Sequence, residues 1–351
     1  MDDIVKIKKL VSQLTHQKHT SLHCSGTDAL YEILKSLKLQ RADTVLVPAF
    51  SCERILLPFL KLNINVALVD TSPSSVVPSL TEYKKSMTQS VKALLLIYPW
   101  GYLPDDLFQI IDWAKQNDII IIEDIASALG LSYKTTILGT LGQYCFGSFG
   151  HDKFSAIGEI GFSNLTDKDS MKIGDKVKLT KFLDYNMLIK LLRNKLFKFF
   201  RPFLLKILSK FPEYSFSGKV SSTNFPSLIK NLDFYSDELD KRKSLTDFYL
   251  SAIKNTPQVK ILTPNNDQSV ALRVACFFNS SLTRDNALTQ ANKKKLWLGR
   301  DYLVPLQEWL RSPLGEFKNT NQAKDHIVNL VTNPNNLHGK KVIDMIKYFY
   351  I

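Results

Sequence analysis

Ile119-Ile120-Ile121-Ile122-Glu123-Asp124 is a short apolar run that ends in two carboxylates. A helical stretch, Leu107 to Asn117, precedes it. Similar uninterrupted apolar runs occur earlier in the chain, also separated by helical stretches: Thr44 to Pro48, Val66 to Asp70 and Ala93 to Tyr98. Strands that are apolar on both faces and alternate with helices are typical of a parallel sheet covered by helices on both sides. The sequence therefore predicts an α/β protein with a mainly parallel sheet.

Four regions are predicted around this sheet. Residues 1–18 carry an amphipathic helix over residues 3–14, and residues 19–166 form a large domain that contains the sheet. Residues 167–225 are a basic amphipathic insertion. Residues 226–351 form a smaller α+β domain, with a long helix from Asp233 to Ile253, a strand near Val274 to Phe278 and a terminal helix near Lys341 to Tyr350. Ligands of such sheets bind beyond the carboxyl ends of the strands, so the functional site is expected there.

Composition favours a cytoplasmic protein. Hydrophobic residues make up 44% and charged residues 23% of the chain, which is ordinary for a soluble globular protein. The acidic start, Met1-Asp2-Asp3, indicates that no signal peptide is to be expected. The sequence contains no run of about 18 apolar residues, so no membrane-spanning helix is expected. The four cysteines show no CxxC spacing and are predicted to be reduced thiols rather than disulfides or a zinc site: Cys24, Cys52, Cys145 and Cys276.

Positive charge is concentrated in one segment. The net charge is +13, and residues 172–210 contain eleven basic and two acidic residues, which is +9 of that total. Within it, residues 185–211 alternate apolar and basic side chains at helical spacing, with a break at Pro202. One interpretation is a helix on an anionic membrane surface, with Phe197, Phe200 and Leu204 in the lipid and the basic side chains Lys195, Lys198, Arg201 and Lys206 facing it. The other is a pair of helices packed on a dimer interface or the second domain. Nucleic acid is not expected, since no recognition motif accompanies the charge.

The stretch Gly147-Ser148-Phe149-Gly150-His151-Asp152-Lys153 places a hydroxyl five residues before a lysine. A lysine that forms an imine, together with a strand-end carboxylate such as Asp124 that keeps a ring nitrogen protonated, is what pyridoxal phosphate requires. The helix start at Gly26-Thr27 can hold a phosphate through its N–H groups. The structural alternatives are a solvated lysine, a helix-capping aspartate and an ordinary turn.

Four motifs in this order resemble the DegT/DnrJ/EryC1/StrS family of sugar aminotransferases, which are fold-type I pyridoxal-phosphate enzymes with a mainly parallel sheet and a smaller C-terminal domain. These motifs are Ser25-Gly26-Thr27-Asp28-Ala29-Leu30, Val47-Pro48-Ala49-Phe50-Ser51-Cys52, residues Ile122 to Gly130, and residues Ser148 to Lys153. Val328-Asn329-Leu330 and the Arg242 to Tyr249 helix resemble the C-terminal part of the family. The resemblance covers nearly the whole chain except residues 165–225.

The resemblance implies a role for each matching residue. Lys153 would carry the cofactor and move the proton, and Asp124 would pair with the pyridinium nitrogen. Phosphate ligands would be Gly26, Thr27, the backbone of Asp28, and Ser148. Ala126 would pack on one face of the ring, Ser127 stands where the family usually has an amide or histidine, and Cys52 stands where many members have an aromatic ring. Ile160, Val331 and Asn333 replace a glycine, a proline and a histidine of the family.

These inferences favour a cytoplasmic, homodimeric aminotransferase that uses pyridoxal 5'-phosphate. It would move an amino group from an amino acid, glutamate above all, to a keto sugar that is nucleotide-linked and destined for surface polysaccharide or amino sugars. A sugar dehydratase using pyridoxal or pyridoxamine phosphate is the first alternative, although such relatives replace the imine lysine with histidine. A non-catalytic scaffold at the membrane surface is the second.

Overall fold

The structure is a computed structural model that describes residues 2–151, 153–158, 160–165, 200–203, 224–254, 256–293, 298–299, 304–310 and 317–333. The helix predicted near Lys341 to Tyr350 lies outside these residues. So do the helices predicted over 185–211, apart from residues 200–203.

Seven strands form the central sheet: β1 (His19–His23), β2 (Thr44–Pro48), β3 (Asn65–Val69), β4 (Val91–Ile97), β5 (Ile120–Asp124), β8 (Tyr144–Ser148) and β9 (Gly161–Leu165). Their spatial order is β1-β9-β8-β5-β4-β2-β3. β9 is antiparallel to both neighbours, whereas the other adjacent strands are parallel. The mainly parallel sheet and its four apolar strands are thus confirmed. A small hairpin, β6 (Ser132–Tyr133) and β7 (Thr136–Ile137), follows β5.

Helices cover both faces of this sheet, as the apolar runs predict. The helices of this region are α1 (Asp2–Thr15), α2 (Gly26–Ser36), α3 (Leu56–Leu62), α4 (Leu80–Lys85) and α5 (Leu107–Gln116). Leu94 and Leu96 of β4 belong to a buried cluster that includes α1 and α5. Ala93 and Leu95, which point the other way, belong to a second cluster with α2 and α3. Alternate residues of one apolar strand therefore supply two cores.

Three strands of the central sheet, β1, β8 and β9, were not predicted. β1 and β9 carry buried polar residues where an apolar run would indicate a buried strand, and the short apolar run of β8 is interrupted by Gly147 and Ser148. On β1 and β9, His23 Nε2 lies 2.8 Å from Ser163 Oγ, and Asn164 donates to Thr15 Oγ1 of α1 at 2.7 Å. Buried polar groups are tolerated where they are hydrogen-bonded, so these pairs let polar strands lie inside the sheet.

The C-terminal region holds a second sheet of three antiparallel strands: β10 (Val259–Ile261), β11 (Arg273–Phe278) and β12 (Ile327–Val331). The helices of this region are α6 (Phe225–Asp233), α7 (Tyr235–Ile253), α8 (Ser281–Lys293), α9 (Leu306–Leu310) and α10 (Lys318–His326). The predicted strand near Val274 to Phe278 is confirmed, and the predicted long helix corresponds to α7, with α6 ending just before it at Asp233. The domain boundaries themselves stay a prediction.

Residues 200–203 contradict one prediction about the basic segment. Arg201 is only 1% exposed, and its NH1 donates to Glu308 Oε2 at 2.9 Å while its guanidinium lies 5.6 Å from the Trp309 ring. The expectation that Arg201 faces lipid is therefore wrong, because a buried carboxylate of α9 pairs with it. Phe200 and Phe203 are 58% and 62% exposed. No helix in the described ranges is long and apolar enough to cross a membrane.

Candidate active site

Lys153 lies in the loop after β8, at the carboxyl edge of the parallel strands. Its amine donates to Ser127 Oγ at 2.8 Å, across 26 positions of chain. The backbone N–H of Lys153 donates to Gly150 O at 3.3 Å, which turns the chain back after β8. The lysine side chain is therefore aimed at the segment that follows β5, as expected if the two strand ends form one site.

Asp124 is the last residue of β5 and is 9% exposed. Its Oδ1 accepts a hydrogen bond from the N–H of Ala126 at 2.9 Å. Burial raises the pKa of this carboxyl, against the opposing effects of the Lys153 charge and the Ala126 N–H. Among the described residues, one backbone N–H donates to this carboxylate, which can therefore accept a further cationic donor, such as a protonated ring nitrogen.

Glu123, its neighbour, has a different environment. Four donors converge on its side chain: the N–H groups of Gly139, Leu141 and Gly142, and the hydroxyl of Tyr98, all at 2.7–2.9 Å. Burial raises the pKa of Glu123 and these hydrogen bonds oppose that shift. These four donors occupy both oxygens of the carboxylate. Glu123 therefore stabilises the loop before β8 and does not face the site.

The start of α2 and the end of β8 lie against each other. A Cβ atom on Gly26 would lie 3.0 Å from Ser148 Cβ, so a side chain there would require Ser148 to shift by a few tenths of an ångström. Ser148 Oγ accepts from Gly150 N–H at 3.1 Å, which leaves the hydroxyl proton available to donate. Ser25 caps the helix and its Oγ accepts the N–H of Asp28 at 3.1 Å. The backbone donor that the resemblance assigns to Asp28 is therefore already used within the chain.

The start of β9 packs on the same helix start. A Cβ on Gly161 would lie 2.3 Å from the carbonyl carbon of Ser25, so a side chain cannot fit there. The preceding residue, Ile160, is buried and adopts a φ of 68°, in the left-handed region that disfavours β-branched residues. The residue that replaces the family glycine therefore keeps a glycine-like backbone.

The remaining predicted residues flank the lysine. Ala126 and Ser127 are 9% and 5% exposed, in the segment that follows β5. Cys52 is half-buried, and burial raises the pKa of its thiol to about 11; Glu53 acts in the same direction, while Arg54 and Lys153 oppose it. Cys52 follows the carboxyl end of the parallel strand β2, so it lies at the same edge of the sheet as Asp124. All four cysteines are free thiols, and no metal-binding group of His, Cys, Asp or Glu occurs among the residues that the structure describes.

Three residues of the smaller region were not predicted as part of the site. A cavity of about 440 Å³ opens beside Lys153 and is also lined by Phe234, Glu238 and Arg242. A helical Glu–Arg pair at this spacing ordinarily indicates a solvated surface pair. The only feature of the sequence that pointed to Arg242 was the resemblance of the Arg242 to Tyr249 helix to the family. That resemblance assigned no function to the helix.

The described residues fit pyridoxal phosphate. An amine held by a hydroxyl, a buried carboxylate open to a cationic partner, and a helix start with an adjacent serine hydroxyl provide the three groups that this cofactor needs. Together with the sheet, they define the class of fold-type I pyridoxal-phosphate proteins.

The DegT/DnrJ/EryC1/StrS aminotransferase family matches residues 2–347, and the chain belongs to this family. The GDP-perosamine synthase of Escherichia coli O157:H7 is 27% identical over 165 residues, which is 47% of this chain and 45% of that protein. The chain thus spans less than half the length of the curated relatives it matches.

Two solved structures have the same fold. A putative sugar aminotransferase from Streptococcus pneumoniae in its PLP form has a TM-score of 0.76 and 18% identity, covering 99% of this chain and 91% of that one. DesI, crystallised in the presence of its TDP-sugar product, has a TM-score of 0.78 and 16% identity, covering 100% of this chain and 85% of that one.

Proposed function

We propose that this chain is a pyridoxal-phosphate-dependent aminotransferase that transfers an amino group from an amino acid, glutamate in the first instance, to a keto sugar. The observation that carries this proposal is the contact of the Lys153 amine with Ser127, beside the buried Asp124 and an open cavity. When bound, the cofactor supplies an aldehyde and a protonated ring that withdraws electrons.

The residues would divide the chemistry among them. Lys153 would bind the aldehyde and, once released, move a proton to and from the substrate carbon. Asp124 would hold the proton on the ring nitrogen, and its burial strengthens that charge pairing. Gly26, Thr27 and Ser148 would bind the phosphate, and Ala126 would pack on the ring. Ser127 would hold the amine of Lys153 in its reactive orientation.

A nucleotide-linked keto sugar is the substrate class that the comparisons favour. The similar proteins named above are a GDP-perosamine synthase and a protein crystallised with a TDP-sugar. The cavity beside Lys153 is large enough for a small-molecule ligand, and it is lined by the cations Lys230 and Lys241 together with the carboxylates of Asp237 and Glu238. A dehydratase is less favoured, since the imine lysine is present. Assembly as a homodimer, which the resemblance implies, is part of the proposal and can be tested by sedimentation.

The function is tested by incubating the purified protein with glutamate and a panel of GDP-, UDP- and dTDP-linked keto sugars. Mass spectrometry should detect an amino sugar together with 2-oxoglutarate, and neither product should form with Lys153→Ala. A protein that binds the cofactor but aminates no sugar in the panel, with any common amino acid as donor, would favour the scaffold alternative. Elimination of water from a sugar, without transfer of nitrogen, would favour the dehydratase.

We also infer that the protein associates with the surface of anionic membranes. Two large exposed aromatics, Phe200 and Phe203, flank Arg201, whose ion pair with Glu308 fixes this short stretch to the folded chain. The surrounding segment carries most of the net positive charge. Exposed aromatic residues within a basic segment favour an anionic lipid surface.

A further inference from the structure

Helix α7 contacts both segments that supply the Lys153–Ser127 pair. At its start, the hydroxyl of Tyr235 donates to Leu129 O, and a Cβ on Gly130 would lie 2.8 Å from the Tyr235 ring. This contact holds the segment that follows β5, to which Ser127 belongs. Further along α7, Glu238 and Arg242 reach the other segment.

Glu238 and Arg242 contact three successive residues of the lysine loop, the loop of residues 153–155 that carries Lys153. Glu238 Oε2 accepts the N–H of Ser155 at 2.8 Å. Arg242 NH2 lies 3.5 Å from Lys153 O, and its guanidinium stacks on the Phe154 ring at 5.0 Å. Because these contacts involve both backbone and ring, they fix the position and the direction of the loop that carries Lys153.

The two charged side chains are also bound to each other and to the second sheet. Arg242 Nε and NH2 lie 2.8 and 2.7 Å from Glu238 Oε1, and NH1 donates to Thr332 Oγ1 at 3.2 Å. Arg242 is 3% exposed. A planar guanidinium can donate to Glu238, Thr332 and a carbonyl of the loop at the same time. The ammonium group of a lysine at this position could not make all of these contacts.

The loop needs such support, since Ser155 adopts a φ of 50° and is almost fully buried. A residue other than glycine in the left-handed region is held there only when its surroundings determine it. The hydrogen bond from its N–H to Glu238 is one such constraint, and the stacking of Arg242 on Phe154 is another.

We propose that Arg242 and Glu238 are positioning residues that hold the 153–155 loop and thereby keep the Lys153 amine at Ser127, where it can meet the cofactor. This inference rests on the proposed function, in which Lys153 carries the cofactor. The contacts of both side chains are with the backbone and the Phe154 ring of the loop, so their effect on the amine acts through the loop.

The test compares two properties of the protein freed of cofactor. The first is the rate at which added pyridoxal phosphate becomes fixed on Lys153, followed by borohydride quenching and peptide mass spectrometry. The second is the affinity for pyridoxamine phosphate, which lacks an aldehyde and reports on the phosphate and ring contacts alone. Arg242→Gln should slow fixation at Lys153 by about tenfold or more, since misplacement of a reacting group by about 1 Å can cost about a hundredfold. Its affinity for pyridoxamine phosphate should stay within about threefold of wild type.

Arg284→Gln is the matched control. Arg284 is also a buried arginine, 2% exposed, but its partners are Lys324 O on α10 and the Asp285 carboxylate, neither of which belongs to the lysine loop (residues 153–155). Its fixation rate should remain within about twofold of wild type, although both variants lose a buried cation and some thermal stability. If Arg242→Gln does not fold, Arg242→Lys should be used, since it keeps the positive charge but lacks the planar guanidinium with its several donors. This variant should slow fixation by about fivefold or more.

Fixation rates within about threefold of wild type in the folded Arg242 variant would overturn the inference. So would a parallel loss of pyridoxamine phosphate affinity, because that would indicate a general disturbance of the site. A wild-type protein with no adduct on Lys153 would overturn the proposed function itself, which distinguishes that failure from failure of the positioning role.

Discussion

The Lys153 amine donates to the hydroxyl of Ser127 at 2.8 Å, so a neutral serine holds the group that would carry the cofactor. The resemblance assigns an amide or a histidine to the position of Ser127, whereas in this chain a hydroxyl accepts the hydrogen bond of the Lys153 amine. A smaller side chain therefore stands at this position beside the lysine.

Replacement of Ser127 by alanine should weaken transamination without abolishing it. A hydrogen bond from a charged amine contributes about 1.5–3 kcal/mol, which corresponds to a kcat lower by roughly tenfold to 150-fold. Ser127→Thr, which keeps the hydroxyl, should retain most of the activity. Steady-state kinetics on both variants measures this, and a loss of about a thousandfold in Ser127→Ala would mean that the hydroxyl takes part in the proton transfer itself.

Asp124→Asn should abolish transamination and yet stabilise the protein when no cofactor is bound. A neutral amide cannot hold the proton on the ring nitrogen, so the rate should fall by orders of magnitude. Burial raises the pKa of Asp124 above its ordinary value of 3.8, so the folded state binds the proton more tightly than the unfolded state. Its contribution to the free energy of unfolding therefore falls as the pH rises from 3.8 through the folded pKa.

Calorimetry of the cofactor-free protein tests this. The amide introduced by Asp124→Asn cannot ionise, so the variant should melt a few degrees above wild type at about pH 7, and the difference should shrink near pH 4. Glu123→Gln is the neighbouring control and should destabilise by about 1–3 kcal/mol, because its amide group would face N–H donors. If Asp124→Asn were less stable than wild type at neutral pH, the account of Asp124 would be contradicted. The hydrogen bond of the carboxylate would then stabilise the protein by more than the burial of its charge costs.

Gly26→Ala should weaken cofactor binding without unfolding the chain. The new Cβ would lie 3.0 Å from Ser148 Cβ and 3.4 Å from Gly147 O, so the helix start and the serine would have to move apart by a few tenths of an ångström. The affinity for pyridoxamine phosphate, measured by fluorescence titration, should drop by about tenfold or more, equivalent to about 1.4 kcal/mol. Unchanged affinity would mean that the phosphate lies elsewhere.

The exposed phenylalanines should be required for binding to membranes. The protein should co-sediment with vesicles containing phosphatidylserine at low salt and be released as salt screens the basic segment. Phe200→Ser with Phe203→Ser should reduce this binding, whereas Leu282→Ser, which removes an apolar side chain that is 70% exposed elsewhere, should not. Wild-type protein that stays in the supernatant, or phenylalanine variants that alter the oligomeric state, would show that this surface is a protein interface.

The sequence predicted the strands whose residues are apolar throughout. These are β2 to β5, which are apolar because both of their faces are buried. The sequence did not predict β1 and β9, whose buried polar residues are satisfied by partners distant in sequence, such as Ser163 for His23. It also did not predict β8, where Gly147 and Ser148 interrupt the apolar run.

The same distinction applies to the site. Lys153, Asp124 and Gly26 stand in local motifs, and the structure brings the end of β5, the loop after β8 and the start of α2 together. The contacts of Arg242 with Lys153 and of Arg201 with Glu308 span 89 and 107 positions, and charged residues in helical patterns are ordinarily solvated. No local pattern therefore distinguishes these buried arginines from the surface ones.

The attachment of the cofactor to Lys153 is the central claim, and borohydride reduction of the wild-type protein saturated with pyridoxal phosphate tests it most directly. Peptide mass spectrometry should find one reduced adduct, on Lys153, with loss of the visible absorption band. An adduct on a different lysine, or no adduct under saturating cofactor, would contradict the account.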